Sequence, residues 1–114
     1  MKKSISALFI AAALIFSATT VFAASGSSLF SSEGCIACHS INGQGGSVGP
    51  DLSHIGSKKS LSWIKTQITN PGAHFAAGTT ANINGRSYQV IMPGNRNMSA
   101  SKLNALASYL KSLK

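Results

Sequence analysis

The chain has 114 residues, with ten Lys and Arg against two Asp and Glu and a formal net charge of +8. This length suits one domain and lies near the size at which a hydrophobic core alone gives only marginal stability. A large positive charge steers a protein towards acidic surfaces, and no recognisable nucleic-acid-binding motif accompanies it. We therefore expect a monomer whose partners are proteins with acidic docking faces, and we do not expect nucleic acid.

The N-terminal residues have the pattern of a secretory signal peptide. Lys2 and Lys3 carry positive charge, an apolar stretch covers residues 7–16, and small residues lead to a cleavage point after Ala23. A bilayer-spanning helix needs about 20 predominantly apolar residues, whereas hydroxyl side chains interrupt this run. We predict that residues 1–23 are a cleaved signal peptide, with retention as an uncleaved anchor as the alternative. The mature chain is then exported to a bacterial periplasm, without stable membrane insertion.

The predicted exported domain, residues 24–114, is still basic. It keeps eight of the ten Lys and Arg, against Glu33 and Asp51. Its two cysteines, Cys35 and Cys38, are three positions apart, so a disulfide between them would close only a very small loop. A covalent cofactor is the better source of the extra stability that so short a chain needs.

The first predicted helix has Ser27 or Ser28 as its N-cap and continues through Gly34 into the cysteine segment. The stretch over residues 42–50 is rich in glycine and lacks periodicity, so it is predicted to be loop. A second helix is predicted over residues 61–69, because Ser60 is a suitable cap and Pro71 prevents continuation. Its apolar face carries Leu61, Ile64 and Ile68.

The segment over residues 79–89 contains Asn84-Gly85, the dipeptide that favours a tight hairpin, and predicts two short strands. The last helix has Ser99 as its cap, and Lys111 and Lys114 suit the dipole at its C-terminal end. Leucines recur along it at helical spacing, at positions 103, 106, 110 and 113. The exported domain is therefore predicted to be mainly helical.

The motif Cys35-Ile36-Ala37-Cys38-His39 is the strongest chemical signal in the chain, since C-x-x-C-H is typical of covalent attachment of a c-type haem. Residues three and four apart share one face of a helical turn. Both sulfurs can then reach the porphyrin vinyl groups while His39 lies under the iron. The alternatives are a small redox disulfide or zinc ligands, but zinc needs four ligands and no other cysteine is present.

The second axial ligand must come from elsewhere, and the candidates are Met92, Met98, His54 and His74. Met98 precedes the cap Ser99 and lies five residues before Leu103, which is the spacing of a hydrophobic staple. Met92 precedes a proline that restricts the local backbone and lies in a segment able to cross the far face of the haem. This ranks Met92 first, with Met98, a histidine or an open site as alternatives.

The chain resembles the class I monohaem cytochromes c over nearly all of residues 24–114. Beyond the C-x-x-C-H motif, Gly49-Pro50-Asp51-Leu52 is similar to that family's loop after the haem, and Ile91-Met92-Pro93 is similar to its axial methionine segment. The run over residues 82–88 resembles a bacterial subgroup with a hairpin before the Met-Pro. Gly94 and Asn95 depart from the family pattern, in which many relatives are more apolar.

The resemblance implies contacts and roles for particular residues. Gly26 and Phe30 on the first helix would contact Leu106 and Tyr109 on the last. The Pro50 carbonyl would accept a hydrogen bond from the second ring nitrogen of the axial histidine. For the haem propionates, the chemistry alone offers four donors, with Trp63 alternatively a core residue and Arg86 alternatively solvated. These donors are Trp63, Tyr88, Arg86 and Arg96.

The expected fold is a mainly α class I cytochrome c fold, with three to four helices around one haem c bound through Cys35 and Cys38 and a short hairpin before Met92. The expected metal ligands are His39 and Met92, and Pro50 is expected to contribute to cofactor binding. A methionine thioether favours Fe(II), so this pair suits a single-electron carrier with redox protein partners rather than an enzyme. The alternatives are an electron-transfer subunit docked on a membrane oxidoreductase, or a haem enzyme or ligand sensor with an open or labile sixth position.

Overall fold

The computed structural model describes residues 25–114. The signal-peptide prediction for residues 1–23 lies outside the described residues. The helices are α1 (Gly26–Ser32), α2 (Ile55–Lys58), α3 (Leu61–Thr69) and α4 (Ala100–Ser112). Antiparallel strands pair as β1 (Ser40–Ile41) with β2 (Gln44–Gly45) and as β3 (Thr80–Ile83) with β4 (Arg86–Gln89). Single 3-10 turns cover Cys35–Ala37 and Pro71–Ala73.

The core lies where α4 packs against α1 and α3. Its buried apolar side chains are Leu29, Phe30, Ile41, Ile64, Ile68, Leu106, Ala107 and Leu110. Helices α1 and α4 approach so closely that a Cβ added at Gly26 would lie 2.5 Å from the Ala105 carbonyl oxygen and 3.0 Å from Cγ of Tyr109. The contact that the family resemblance implied between Gly26 and Tyr109 is therefore present, and glycine is the residue that permits it.

Helix α1 begins and ends earlier than the sequence predicted. Its N-cap is Ser25, whose hydroxyl accepts from the Ser28 N–H at 3.2 Å, so the predicted caps Ser27 and Ser28 are wrong. The helix also stops before the cysteines, because Gly34 adopts a left-handed φ of 82° and breaks the helical path. The cysteine segment then starts a separate 3-10 turn. The sequence analysis considered only Ser27 and Ser28 as caps and did not consider Ser25.

The glycine-rich segment after the cysteines is not all loop. Asn42-Gly43 forms a tight turn with φ of 51° and 79°, and it joins β1 to β2 with Ile41 opposite Gln44. The left-handed conformation at both positions is the one that an Asn-Gly dipeptide tolerates well. The loop prediction for residues 42–50 is therefore wrong at Gln44–Gly45, which form β2, although the Asn-Gly signal that predicted the later hairpin was also present here.

Helix α3 matches its predicted bounds, and the Ser60 hydroxyl caps it by accepting from the Trp63 N–H at 3.1 Å. Of the three residues on its predicted apolar face, Ile64 and Ile68 are buried, whereas Leu61 stays 37% exposed. It occupies the first helical position, where the chain is still entering the core.

The later hairpin and the last helix also follow the sequence. Asn84-Gly85 turns β3 into β4 with φ of 53° and 80°, and Ser99 caps α4 by accepting from the Lys102 N–H at 3.3 Å. Met98 and Leu103 both pack against the core, in agreement with a hydrophobic staple at the start of α4. None of the helices within residues 25–114 has the length and hydropathy needed to cross a membrane.

Helix α2 was not predicted, because its four residues carry no helical periodicity. Contacts with the end of α4 hold it in place. The Gly56 N–H donates to the Leu113 carbonyl at 2.7 Å, and the Lys111 ammonium donates to the carbonyls of Gly56 and Lys59 at 2.9 Å each. A tertiary contact thus stabilises a helix that is too short to be stable alone.

Replacing Leu106 with Ala should lower the free energy of unfolding by about 2–5 kcal/mol, because a buried leucine loses its transfer energy and leaves a cavity. The matched control is Leu61→Ala, since Leu106 is 0% exposed and Leu61 is 37% exposed. Leu61→Ala should lower the free energy of unfolding by less than about 1 kcal/mol. Urea unfolding of the holoprotein, followed by circular dichroism, measures both values. Equal losses in the two variants would contradict the described core.

Candidate haem site

The attachment motif is held as one compact turn. After Gly34, the Cys35 carbonyl accepts from the N–H groups of Cys38 at 3.2 Å and His39 at 2.9 Å. Both cysteines are partly buried, and they are not joined to each other in a disulfide. The turn therefore gathers two sulfurs and an imidazole at one point of the chain.

A hydrogen bond fixes the orientation and the tautomer of the His39 imidazole. Its Nδ1 lies 2.8 Å from the carbonyl oxygen of Pro50. A carbonyl oxygen can only accept, so Nδ1 carries the hydrogen and donates it. In the neutral ring, Nε2 then presents a lone pair, which is the form of histidine that binds a metal.

Gly49 gives the His39 ring the space it occupies. A Cβ at this position would lie 2.6 Å from Cε1 and 2.8 Å from Nδ1 of the imidazole, well inside van der Waals contact. The Gly49 N–H also donates to the Cys38 carbonyl at 2.7 Å. The loop and the attachment motif are thus joined by the backbone on one side and by the His39 ring on the other.

The carboxylate of Asp51 fastens the same loop one residue further on. It accepts from the Ser40 hydroxyl at 3.0 Å and from the Ser53 N–H at 2.8 Å. The Ser53 hydroxyl in turn accepts from the Asn42 N–H at 2.8 Å. The Ser53 hydroxyl and N–H, followed by Ser40, hold the pKa of the Asp51 carboxyl below its ordinary value. These bonds place the Pro50 carbonyl relative to His39.

Met92 follows the β3–β4 hairpin, in an irregular segment that passes the end of α3. Its side chain is partly buried, and its sulfur accepts a hydrogen bond at 3.3 Å from Nε2 of Gln67. Its neighbour Ile91 is 58% exposed. The segment therefore presents a methionine sulfur inwards while the residue before it faces solvent.

Close packing on α3 fixes the path of the segment after Met92. A Cβ added at Gly94 would lie 2.7 Å from the Thr69 carbonyl oxygen, and the Asn95 N–H donates to the Ile68 carbonyl at 2.9 Å. Asn95 also donates from Nδ2 to the Glu33 carboxylate at 3.2 Å. The two departures from the family pattern, Gly94 and Asn95, therefore have structural roles in docking this segment.

The other three candidate axial ligands have different partners. Met98 packs against the core. His54 is exposed, and its Nδ1 lies 2.8 Å from the Lys114 carbonyl oxygen. His74 stacks on Trp63 and contacts Gln67. These engagements support the ranking of Met92 first, while the assignment of the axial ligands itself remains a prediction.

Gln67 is a site residue that the sequence analysis did not identify. It lies four positions after Trp63 on α3 and donates to Met92, 25 residues further along the chain. The only signal in the sequence was a polar side chain between the buried Ile64 and Ile68 of an amphipathic helix. That signal does not predict which residue Gln67 contacts, because Met92 is far away in the chain.

Two of the four candidate propionate donors line a cavity beside the Pro50 loop. The cavity has a volume of about 240 Å³ and is lined in part by Pro50, Lys58, Arg86 and Tyr88. The guanidinium of Arg86 lies 5.6 Å from the centroid of the Tyr88 ring. Of the other two candidates, Trp63 stacks on His74 and packs against the core, and Arg96 donates to the Asn70 side chain at 3.1 Å.

The model of the family Cytochrome c matches residues 23–114. The chain therefore belongs to the cytochrome c family, as a class I c-type cytochrome. The searches of curated proteins and of solved structures give no match. The predicted fold is confirmed, since residues 25–114 form four α-helices with small two-stranded sheets. The cofactor prediction is confirmed as well: haem c is bound covalently through Cys35 and Cys38.

The residues of the site fit this group. The C-x-x-C-H turn brings together the attachment sulfurs and an imidazole whose Nε2 is available for a metal. Gly49 keeps the space around that imidazole clear. Partly buried apolar side chains adjoin the same core, among them Ile36, Leu52 and Trp63.

Replacing Gly49 with Ala should lower the free energy of unfolding of the holoprotein by about 1–3 kcal/mol, because the new methyl group overlaps the His39 ring. Gly72→Ala is the matched control, since the nearest atom to a Cβ there is 3.8 Å away. Neither position has a positive φ, so backbone strain does not distinguish them. Urea unfolding followed by haem absorbance measures both. If Gly49→Ala unfolded at the same urea midpoint as the native protein, the close contact between Gly49 and the His39 ring would be contradicted.

Proposed function

We propose that this cytochrome is an exported periplasmic carrier that transfers one electron at a time, with His39 and Met92 as the axial ligands of its iron. The family establishes the coarser statement, that the chain is a haem-binding electron-transfer protein whose relatives are usually carriers. The ligand pair, the location and the partners are the proposal. The observation that carries it is the His39–Pro50 hydrogen bond, which leaves Nε2 of His39 free to bind iron.

The haem supplies a one-electron couple between Fe(II) and Fe(III). The protein side chains determine how that couple is used. The Pro50 carbonyl holds His39 in its ligating tautomer, and Gln67 donates to the sulfur of Met92. Two strong axial ligands leave no position for substrate and allow a change of charge with little rearrangement. That combination favours electron transfer over catalysis or gas binding.

Arg86 and Tyr88 are proposed to bind the haem propionates, with Lys58 adding positive charge. All three line the cavity that Pro50 also lines. A guanidinium donates in a planar fork that matches a carboxylate, and a phenol donates one hydrogen bond. The hairpin that the sequence predicted before Met92 would then bring both donors to the cofactor.

Charge supports acidic redox proteins as the partners. Both acidic side chains of the described chain have local partners, since Glu33 pairs with Lys102 at 3.3 Å and Asp51 accepts from serines. The basic excess of residues 24–114 is therefore not offset by an exposed acidic cluster. Such a field speeds encounter with a negative surface, and a small interface keeps release fast.

The axial pair is tested by Met92→Ala, with Met98→Ala as the matched control. Oxidised native protein should show the weak near-infrared methionine-to-iron band. Met92→Ala should lose the band and should bind carbon monoxide when reduced, because the sixth position opens. Met98→Ala should keep the band and exclude carbon monoxide. Absorbance spectra of both redox states measure each outcome. A native protein that lacks the band, or that binds carbon monoxide, would favour a haem enzyme or ligand sensor instead.

Steering by positive charge is tested with two small oxidants of opposite charge. Oxidation of the reduced protein by anionic hexacyanoferrate(III) should slow as ionic strength rises, because salt screens the attraction. Oxidation by cationic tris(phenanthroline)cobalt(III) should become faster, because salt screens a repulsion. Stopped-flow absorbance gives both rate constants. A hexacyanoferrate(III) rate that is independent of salt would contradict electrostatic steering.

A further inference from the structure

A stack of two rings lies beside the Met92 segment. The rings of Trp63 and His74 are 4.3 Å apart between centroids and only 5° from parallel. The Phe75 ring meets each of them edge-on at 6.4 Å, and the Lys59 ammonium lies 4.5 Å from the Trp63 centroid. His74 is partly buried in this arrangement, so its imidazole has a defined plane and a defined edge.

That edge contacts Gln67. Nδ1 of His74 lies 2.9 Å from Oε1 of Gln67, and Nε2 of the same amide lies 3.3 Å from the sulfur of Met92. The amide therefore joins the imidazole to the methionine. All three side chains are partly buried, which limits competition from water for these bonds.

Only one arrangement of hydrogens satisfies this chain of contacts. The Met92 sulfur carries no hydrogen and can only accept, so the Gln67 amide must turn its NH₂ group towards it. The amide oxygen then faces His74, and Nδ1 of His74 must donate. If Nδ1 were the unprotonated nitrogen, the amide would have to reverse, and its oxygen would meet the sulfur as two acceptors in contact.

We propose that His74 is a positioning residue for the axial methionine, which acts by fixing the orientation of the Gln67 amide, with Trp63 as the platform that holds its ring. The proposal deepens the proposed function and rests on Met92 as the axial ligand. Gln67 uses one lone pair of the sulfur and leaves the other for the iron. It thereby holds in place the thioether, which is the soft ligand that favours Fe(II).

This proposal explains three residues together. His74 was a rival candidate for the iron in the sequence, and Trp63 was either a core residue or a propionate donor. The structure instead combines them, since Trp63 orients His74 and His74 orients Gln67. A polar side chain at position 67, between two buried isoleucines of α3, then has a defined purpose.

The experiment compares single variants of the holoprotein. Gln67→Leu removes the donor to the sulfur. His74→Phe keeps a ring to stack on Trp63 but has no Nδ1–H, whereas His74→Asn keeps an N–H donor near the same place but loses the ring. The readouts are the near-infrared band, the reduction potential and the affinity of the oxidised iron for added imidazole, which competes with Met92.

Gln67→Leu and His74→Phe should each bind imidazole about two- to tenfold more tightly than native protein, the equivalent of one ordinary hydrogen bond. Both should also have a lower reduction potential. His74→Asn should remain closer to native in both readouts. The double variant Gln67→Leu/His74→Phe should bind imidazole no more tightly than Gln67→Leu alone, because His74 acts only through the amide.

The outcomes separate this proposal from the ligand assignment. If native protein lacks the near-infrared band, Met92 is not a ligand and both fail. If native protein has the band but His74→Phe binds imidazole with native affinity, the positioning role alone is wrong. The positioning role also fails if His74→Asn and His74→Phe are equally perturbed, since that pattern indicates ring packing rather than hydrogen bonding.

Discussion

A hydrogen bond of 2.8 Å from Nδ1 of His39 to the Pro50 carbonyl joins two segments that are eleven residues apart, and the surrounding structure serves to keep it. Gly49 leaves room for the imidazole. Asp51 ties the loop to the serines on either side of it. The bond decides which ring nitrogen carries the hydrogen, and so which one is available to iron. If His39 is the axial ligand proposed above, electron transfer depends on that choice, because a ring that carries its hydrogen on Nε2 cannot bind iron through that atom.

The scaffold around this bond is small, since the hydrophobic core within residues 25–114 consists of eight buried side chains. The crossing of α1 and α4 contributes five of them, Leu29, Phe30, Leu106, Ala107 and Leu110. A chain of this size gains only marginal stability from such a core. The covalent haem provides the redox couple, and we expect its apolar surface to add to this small core.

The two proposed axial ligands are held in the same manner. On one side a backbone carbonyl orients His39, and on the other the Gln67 amide donates to Met92. The Pro50 carbonyl and the Gln67 amide are each held in turn by a further contact. Asp51 and Gly49 hold the first arrangement, and the Trp63–His74 stack holds the second. Ligand identity alone sets a broad range of properties, and such outer contacts tune it.

The sequence by itself determined the features that arise within a few residues: the C-x-x-C-H motif, the Asn84-Gly85 hairpin, and the helices capped by Ser60 and Ser99. Each depends on local bonds whose partners are close neighbours in the chain. It misplaced the cap of α1 by two or three residues, and it missed α2, which contacts with the end of α4 hold in place. The family resemblance also implied the bond between His39 and Pro50, which is present, whereas only the tertiary structure placed Gln67 between His74 and Met92. Contacts between residues so far apart in the chain depend on how the helices and strands pack together. Periodicity and capping signals do not encode that packing.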